Sequence, residues 1–143
     1  MNRAVIDDHL LRDLLSGQLS SECADLLDDF VPATTNLYFH RLCRSIVAGR
    51  GRALTGWLSE AQRRALGRSL TTLPKTIEIV PMRVLAYRMA ELASVHRVST
   101  LGAEAIACAE HLGAPLCVWE GDDGPRIRAC AMAIGTPYRI IRR

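Results

Sequence analysis

Carboxylates stand at three places in this sequence where alternating strands and helices would bring chain segments to one sheet edge. Asp7 and Asp8 follow the apolar run Ala4-Val5-Ile6, Glu104 sits in the first turn of an expected helix, and Glu120, Asp122 and Asp123 follow an apolar run ending at Trp119. Asp7, Glu104 and Glu120 meeting at one edge would suit magnesium or manganese. These hard cations prefer oxygen ligands and keep waters, which the metal can activate to attack a phosphodiester. Asp8 or Asp122 would then support the ligands from behind. The plainer alternative is that Asp122 and Asp123 make a turn and Glu104 favours a helix start through the dipole. Spacing alone favours that alternative.

A second chemistry is carried by arginine. Between Arg41 and Arg68 there are seven arginines opposed only by Glu60, and Arg41, Arg44, Arg50 and Arg52 form the densest part of the band. Guanidinium planes match phosphate geometry, which makes these four the candidate nucleic-acid contacts. The competing explanation is a whole-chain preference, since seventeen arginines accompany one lysine, Lys75. Residues 1 to 30 are the reverse, with seven acidic side chains against Arg3 and Arg12. His9, His40, His96 and His111 are scattered without a His-x-x-x-His pair, and Cys-x-x-Cys is absent, so no zinc pattern is present. Neither a Gly-x-x-x-x-Gly-Lys loop nor a Gly-x-Gly-x-x-Gly strand-helix turn occurs, and no Gly-x-Ser-x-Gly elbow does. A small-molecule site lined by Trp119, Tyr38 and His9 is a weaker third option, because aromatics at such spacings more often belong to a core.

The elements that must position these groups read as alternating strands and helices. Ala4 to Ile6 is a strand, and Leu10, Leu11, Leu14 and Leu15 then recur at helical spacing up to Gly17. A helix is expected over 21–29. Pro32 then breaks the chain, Thr34 or Thr35 offers an N-cap, and a helix follows over 37–47. Gly49 to Arg52 reads as an exposed loop, 59–70 as an amphipathic helix, 76–80 as a strand ended by Pro81, and 82–96 as one helix. The last third is the clearest. Ser99 or Thr100 caps an alanine-rich helix that ends at Gly113, 115–119 is a buried strand, Pro125 opens a helix stopped by Gly135, and 138–141 is a final strand. This β-α-β-α-β order predicts an α/β fold: a three-layer sandwich with a mostly parallel central sheet, its ligands outside the carboxyl ends of the strands.

At 143 residues, 49% hydrophobic and 23% charged with a formal charge of +3, the composition suits a single domain over 1–143 that needs no metal or disulfide staple. The acidic, leucine-rich start is unlike a signal peptide and no stretch approaches a spanning helix, so a cytoplasmic protein with no membrane partner is expected. Five irregularly spaced cysteines read as reduced core thiols.

The opening Ala-Val-Ile-Asp7-Asp8 before a leucine-rich helix resembles the start of a PIN domain, whose first strand ends in a metal-binding aspartate. The stretch from Gly102 to Leu116, an alanine-rich helix followed by Leu-Gly-Ala-Pro-Leu, is similar to a later segment of the same family. The likeness covers both ends of the chain, while the middle matches mainly in layout. It implies a PIN-like α/β sandwich and, in intact members, a magnesium-dependent ribonuclease built on clustered acids. Many such members are toxins of bacterial toxin–antitoxin pairs. Asp7 matches the family's first aspartate. The family's helix glutamate falls near His40 or Arg41, its aspartate opening the alanine-rich helix aligns with Gly102, with Glu104 two residues on, and its Thr-x-Asp reads Val118-Trp119-Glu120. Asp-Asp-His-Leu-Leu and Thr-Thr-x-Leu-Tyr also resemble uncharacterised actinobacterial PIN-like proteins.

Two functions follow from this reading. One is a degenerate PIN-like domain that binds RNA or a protein partner such as an antitoxin, with weak or absent nuclease activity. The other is a working ribonuclease with Asp7, Glu104 and Glu120 around magnesium or manganese. A homodimer is left open.

Overall fold

A computed structural model describes residues 2–48 and 52–143. Strand β1 (Arg3–Ile6), with Ala4, Val5 and Ile6 wholly buried, runs straight into helix α1 (Asp8–Ser16). Asp7 makes that junction a helix start by accepting the Leu10 N–H, and Gly17 closes the helix at φ 70°, a left-handed geometry open to glycine at little cost. Next come α2 (Ser21–Asp29), β2 (Val31–Thr35), α3 (Asn36–Ala48) and the short α4 (Arg52–Thr55). Helix α5 (Glu60–Thr71) opens on a reciprocal Ser59–Gln62 capping box. Strand β3 (Glu78–Val80) leads through a 3-10 turn (Met82–Val84) to α6 (Ala86–His96) and α7 (Thr100–Leu112), and β4 (Leu116–Trp119) through a second one (Glu120–Asp122) to α8 (Pro125–Ala133) and β5 (Tyr138–Ile141).

All strand pairs are parallel, in the order β3-β2-β1-β4-β5. The chain builds outward from β1 to β3, then crosses to β4 and β5 on the other side. The direction of winding therefore reverses between β1 and β4, where helices leave to opposite faces and a crevice opens at the carboxyl ends. Side-chain alternation sorts the core into two layers. Val5, Leu116 and Val118 pack with Leu85, Met89, Leu92 and the buried alanines of α7, whereas Ala4, Ile6 and Cys117 pack with Leu10, Leu11, Leu42 and Leu66. The result is the expected α/β sandwich, an all-parallel sheet between two helical layers. Small side chains at Ala103, Ala105, Ala107 and Ala109, all buried, allow α7 close against the sheet. Four of the five cysteines are buried and all are free thiols.

Strand β2 is the main departure from the sequence expectation, which treats Pro32 as a break. Val31 donates its N–H to Asn2 on the β1 side, so the missing N–H of Pro32 would face β3, and pairing with β3 begins only at Ala33. The proline therefore removes no ladder bond. Thr35 does cap α3, accepting the Tyr38 N–H at 3.1 Å, while also ending the strand. The helix expected over 82–96 divides at Leu85 into the 3-10 turn after Pro81 and α6. The loop expected from Gly49 to Arg52 falls on residues 49–51, outside the described residues, and on the first position of α4.

Candidate functional site

The β1–β4 crevice is closed at its base by Asp7. Its backbone N–H donates to the Cys117 carbonyl, its Oδ1 accepts from Leu10 at 2.9 Å, and its Oδ2 accepts from the Trp119 N–H at 2.8 Å. One fully buried carboxylate thus starts α1 and joins the ends of the two central strands. Burial and the neighbouring charge of Asp8 push its pKa up to about 7, against the lowering effect of the two backbone donors.

The side chains around it are Asp8, His9 and Asp122. Together with Asp7 they bring ligand atoms within 4.8 Å of one another, a spacing at which a buried Asp/His group can hold a metal ion. His9 occupies the middle of the group. Its Nδ1 lies 2.8 Å from Asp122 Oδ2 and 3.2 Å from Asp8 Oδ1. A nitrogen between two carboxylate oxygens must carry the proton. Burial lowers the His9 pKa, but the contacts with Asp122 and Asp8 outweigh it and raise it to about 9. Burial likewise acts to raise Asp122, yet the hydrogen bond and charge of His9, with the charge of Arg41, hold it below its usual range. Arg41 approaches from α3, its Nε 3.4 Å from the buried Asp8 Oδ2.

Trp119 forms the wall of this group. Its ring stacks on His9 with centroids 4.3 Å apart, and the Arg143 guanidinium lies 5.6 Å from its centroid. Gly121 is required beside it, since a Cβ there would meet the indole at 2.3 Å. Two cavities meet over the cluster, and Arg41 and Asp122 line both. One, of about 680 Å³, is further lined by His9, Arg44, Ser45 and Trp119. The other, of about 430 Å³, lies toward Tyr38, Ser99, Gly102 and Ile127.

Of the three carboxylates expected around the ion, Asp7 lies in the cluster and Glu104 and Glu120 are outside that group, whereas Asp8 and Asp122, expected as supporting groups, are both in it. Glu104 is fully buried on α7 and reaches across to α3, where its Oε1 accepts the Leu37 N–H at 2.9 Å. Its pKa is raised by burial, against that backbone donor. Glu120 is exposed at the first position of its 3-10 turn. Asp123 is held away by the Tyr138 hydroxyl at 2.9 Å and by Arg128. Among the four arginines, Arg41 and Arg44 face the larger cavity. Arg50 and the side chain of Arg52 lie outside the described residues. The charged role of His9 was not anticipated, although its place directly after two aspartates in the first turn of α1 was the available signal.

No protein-family model and no curated protein matches the sequence. Among solved structures, the fold is similar to a chain of a toxin–antitoxin complex from Klebsiella pneumoniae. The TM-score is 0.52, with 18% identity over 80% of this chain and 83% of that one. At this identity the likeness is one of fold. Among the described residues, no helix is long and apolar enough to cross a membrane.

Proposed function

We propose that the chain is a PIN-like domain that binds single-stranded RNA across the carboxyl edge of its sheet, with weak or absent metal-dependent cleavage. The observation that carries this reading is the pair of cavities meeting at Arg41 and Asp122. The larger offers Arg41 and Arg44 to backbone phosphates, with Trp119 forming part of its wall. The fold likeness to a chain of a toxin–antitoxin complex supports a related role, in which a protein such as an antitoxin would be the partner.

A magnesium- or manganese-dependent ribonuclease, the toxin of such a pair, is the second reading. It is favoured by one observation, the close approach of three carboxylates. As a donor set these suit a hard divalent ion, and the buried Asp8 Oδ2, faced by Arg41 at 3.4 Å, accepts no hydrogen bond among the described residues. Asp7, Asp8 and Asp122 would hold the ion, which when bound supplies a water acidic enough to attack a phosphodiester. Glu104 is engaged at the start of α3, and Glu120 is exposed on the turn after β4.

A fluorescent RNA oligonucleotide titrated with the protein, with magnesium or with chelator, separates the two. Binding that survives chelation, without cleavage, is the expected result. Magnesium-dependent cleavage abolished in both Asp7→Asn and Asp122→Asn would overturn the binding reading in favour of the nuclease.

A further inference from the structure

The acidic cluster contains its own counter-charges. Three aspartates converge, yet the spaces between their oxygens are taken by groups of this chain. Asp7 accepts two backbone N–H groups, the His9 Nδ1 stands between Asp8 and Asp122, and the Arg41 Nε faces Asp8 Oδ2. His9 is held in place from its flat side by Trp119, which Arg143 covers in turn. Arg41 differs from His9 in being partly exposed, with 43% of its side chain open to solvent, and in lining both cavities.

We propose that Arg41, backed by His9, sets the sign of the ligand accepted at this edge, so that it takes a phosphate-bearing anion and resists a divalent cation. The inference rests on reading the crevice as the binding site. A divalent ion entering among Asp7, Asp8 and Asp122 meets a guanidinium 3.4 Å from Asp8 Oδ2 and an imidazole N–H directed at Asp8 Oδ1 and Asp122 Oδ2, while both Asp7 oxygens already accept backbone N–H groups. Like charges at such separations repel strongly in a site partly shielded from water. A phosphodiester meets Arg41 and Arg44 instead, and with Arg41 in between, the phosphate need not face the carboxylates directly. Arg41 is thus a specificity-determining residue with two faces, one toward Asp8 and one toward the ligand.

Reversing its charge tests this. Wild type, Arg41→Glu and Arg41→Gln are titrated with manganese, following loss of the free-ion paramagnetic resonance signal, and separately with a labelled single-stranded RNA. Manganese affinity should rise by about tenfold or more in Arg41→Glu, with Arg41→Gln between it and wild type, while RNA affinity falls in the same order. Manganese affinity equal in all three overturns the inference even if RNA binding weakens, because Arg41 would then only touch the RNA. If no form binds RNA but manganese affinity still rises, the RNA reading fails and the exclusion of cations stands. Far-ultraviolet circular dichroism confirms that each variant is folded, and Arg41→Gln supplies the comparison should Arg41→Glu not fold.

Discussion

His9 and Asp7 both carry pKa values raised by the fold, and the sign of the consequence is the same for each. His9 rises from 6.5 to about 9, so its contribution to stability is full below pH 6.5 and is lost as pH rises through 9. Asp7 rises from 3.8 to about 7, so what it contributes is full below pH 3.8 and lost as pH rises through 7. Chelator-treated protein should therefore show a falling Tm between pH 6.5 and 9, and His9→Gln should flatten the part between pH 7 and 9. A wild-type Tm constant over that range contradicts the assignment of His9. The effect of His9 is read most cleanly below about pH 8, because Cys23, pushed up by burial from 9.0 to about 11, adds its own fall in stability once the unfolded thiol begins to ionise. Asp7 and its place at a strand end were legible in the sequence, since an aspartate between an apolar run and a helical pattern reads directly. The contact of Asp7 with Trp119, 112 residues away, was not legible, because it depends on β4 lying next to β1.

Helix α1 ties the small α4 to the sheet through a wholly buried arginine. Arg12 pairs with Asp13 through Nη2 at 2.8 Å and donates from Nη1 to the carbonyls of Ala53 and Leu54, with Trp57 over its guanidinium. Arg12→Ala takes the guanidinium donor from the Leu54 carbonyl, while that of Ala53 keeps the Trp57 indole N–H, and it removes one partner of a buried ion pair, so it should cost about 3–5 kcal/mol in urea unfolding. A loss near 1 kcal/mol, ordinary for a point substitution, would show that Arg143, also paired with Asp13 at 2.7 Å, carries the network alone. Helix α6 ends on Arg97 at φ 56°, a left-handed position better suited to glycine. Arg97→Gly should stabilise by up to about 1 kcal/mol, measured the same way, and destabilisation would mean that the arginine side chain holds that corner. Helices were readable from apolar periodicity and caps, whereas α4 is one short turn with no period to read. Strand β2 was hidden because a proline inside a strand counts as a break unless the direction of its missing N–H is known.

Across the whole molecule, the uneven charge of the sequence becomes partly internal. The acidic first segment meets the basic last one, with Asp13 bound by the Arg143 guanidinium and Glu22 accepting the Arg142 backbone N–H, so one arginine of the basic end spends its charge inside the fold. Arg41 and Arg44 instead face the crevice. Repetition of strands and helices made the α/β class legible. The strand order that brings β1 beside β4 follows from right-handed crossovers and packing, and no local residue pattern encodes it. The most direct test of the account is RNA binding in chelator as a function of salt. Wild type should bind with an affinity that falls steeply as salt rises, and Arg41→Ala with Arg44→Ala should reduce the logarithmic slope by about 1.4, as expected for two lost phosphate contacts on a single strand. An unchanged slope, or binding that vanishes once divalent ions are removed, would contradict it.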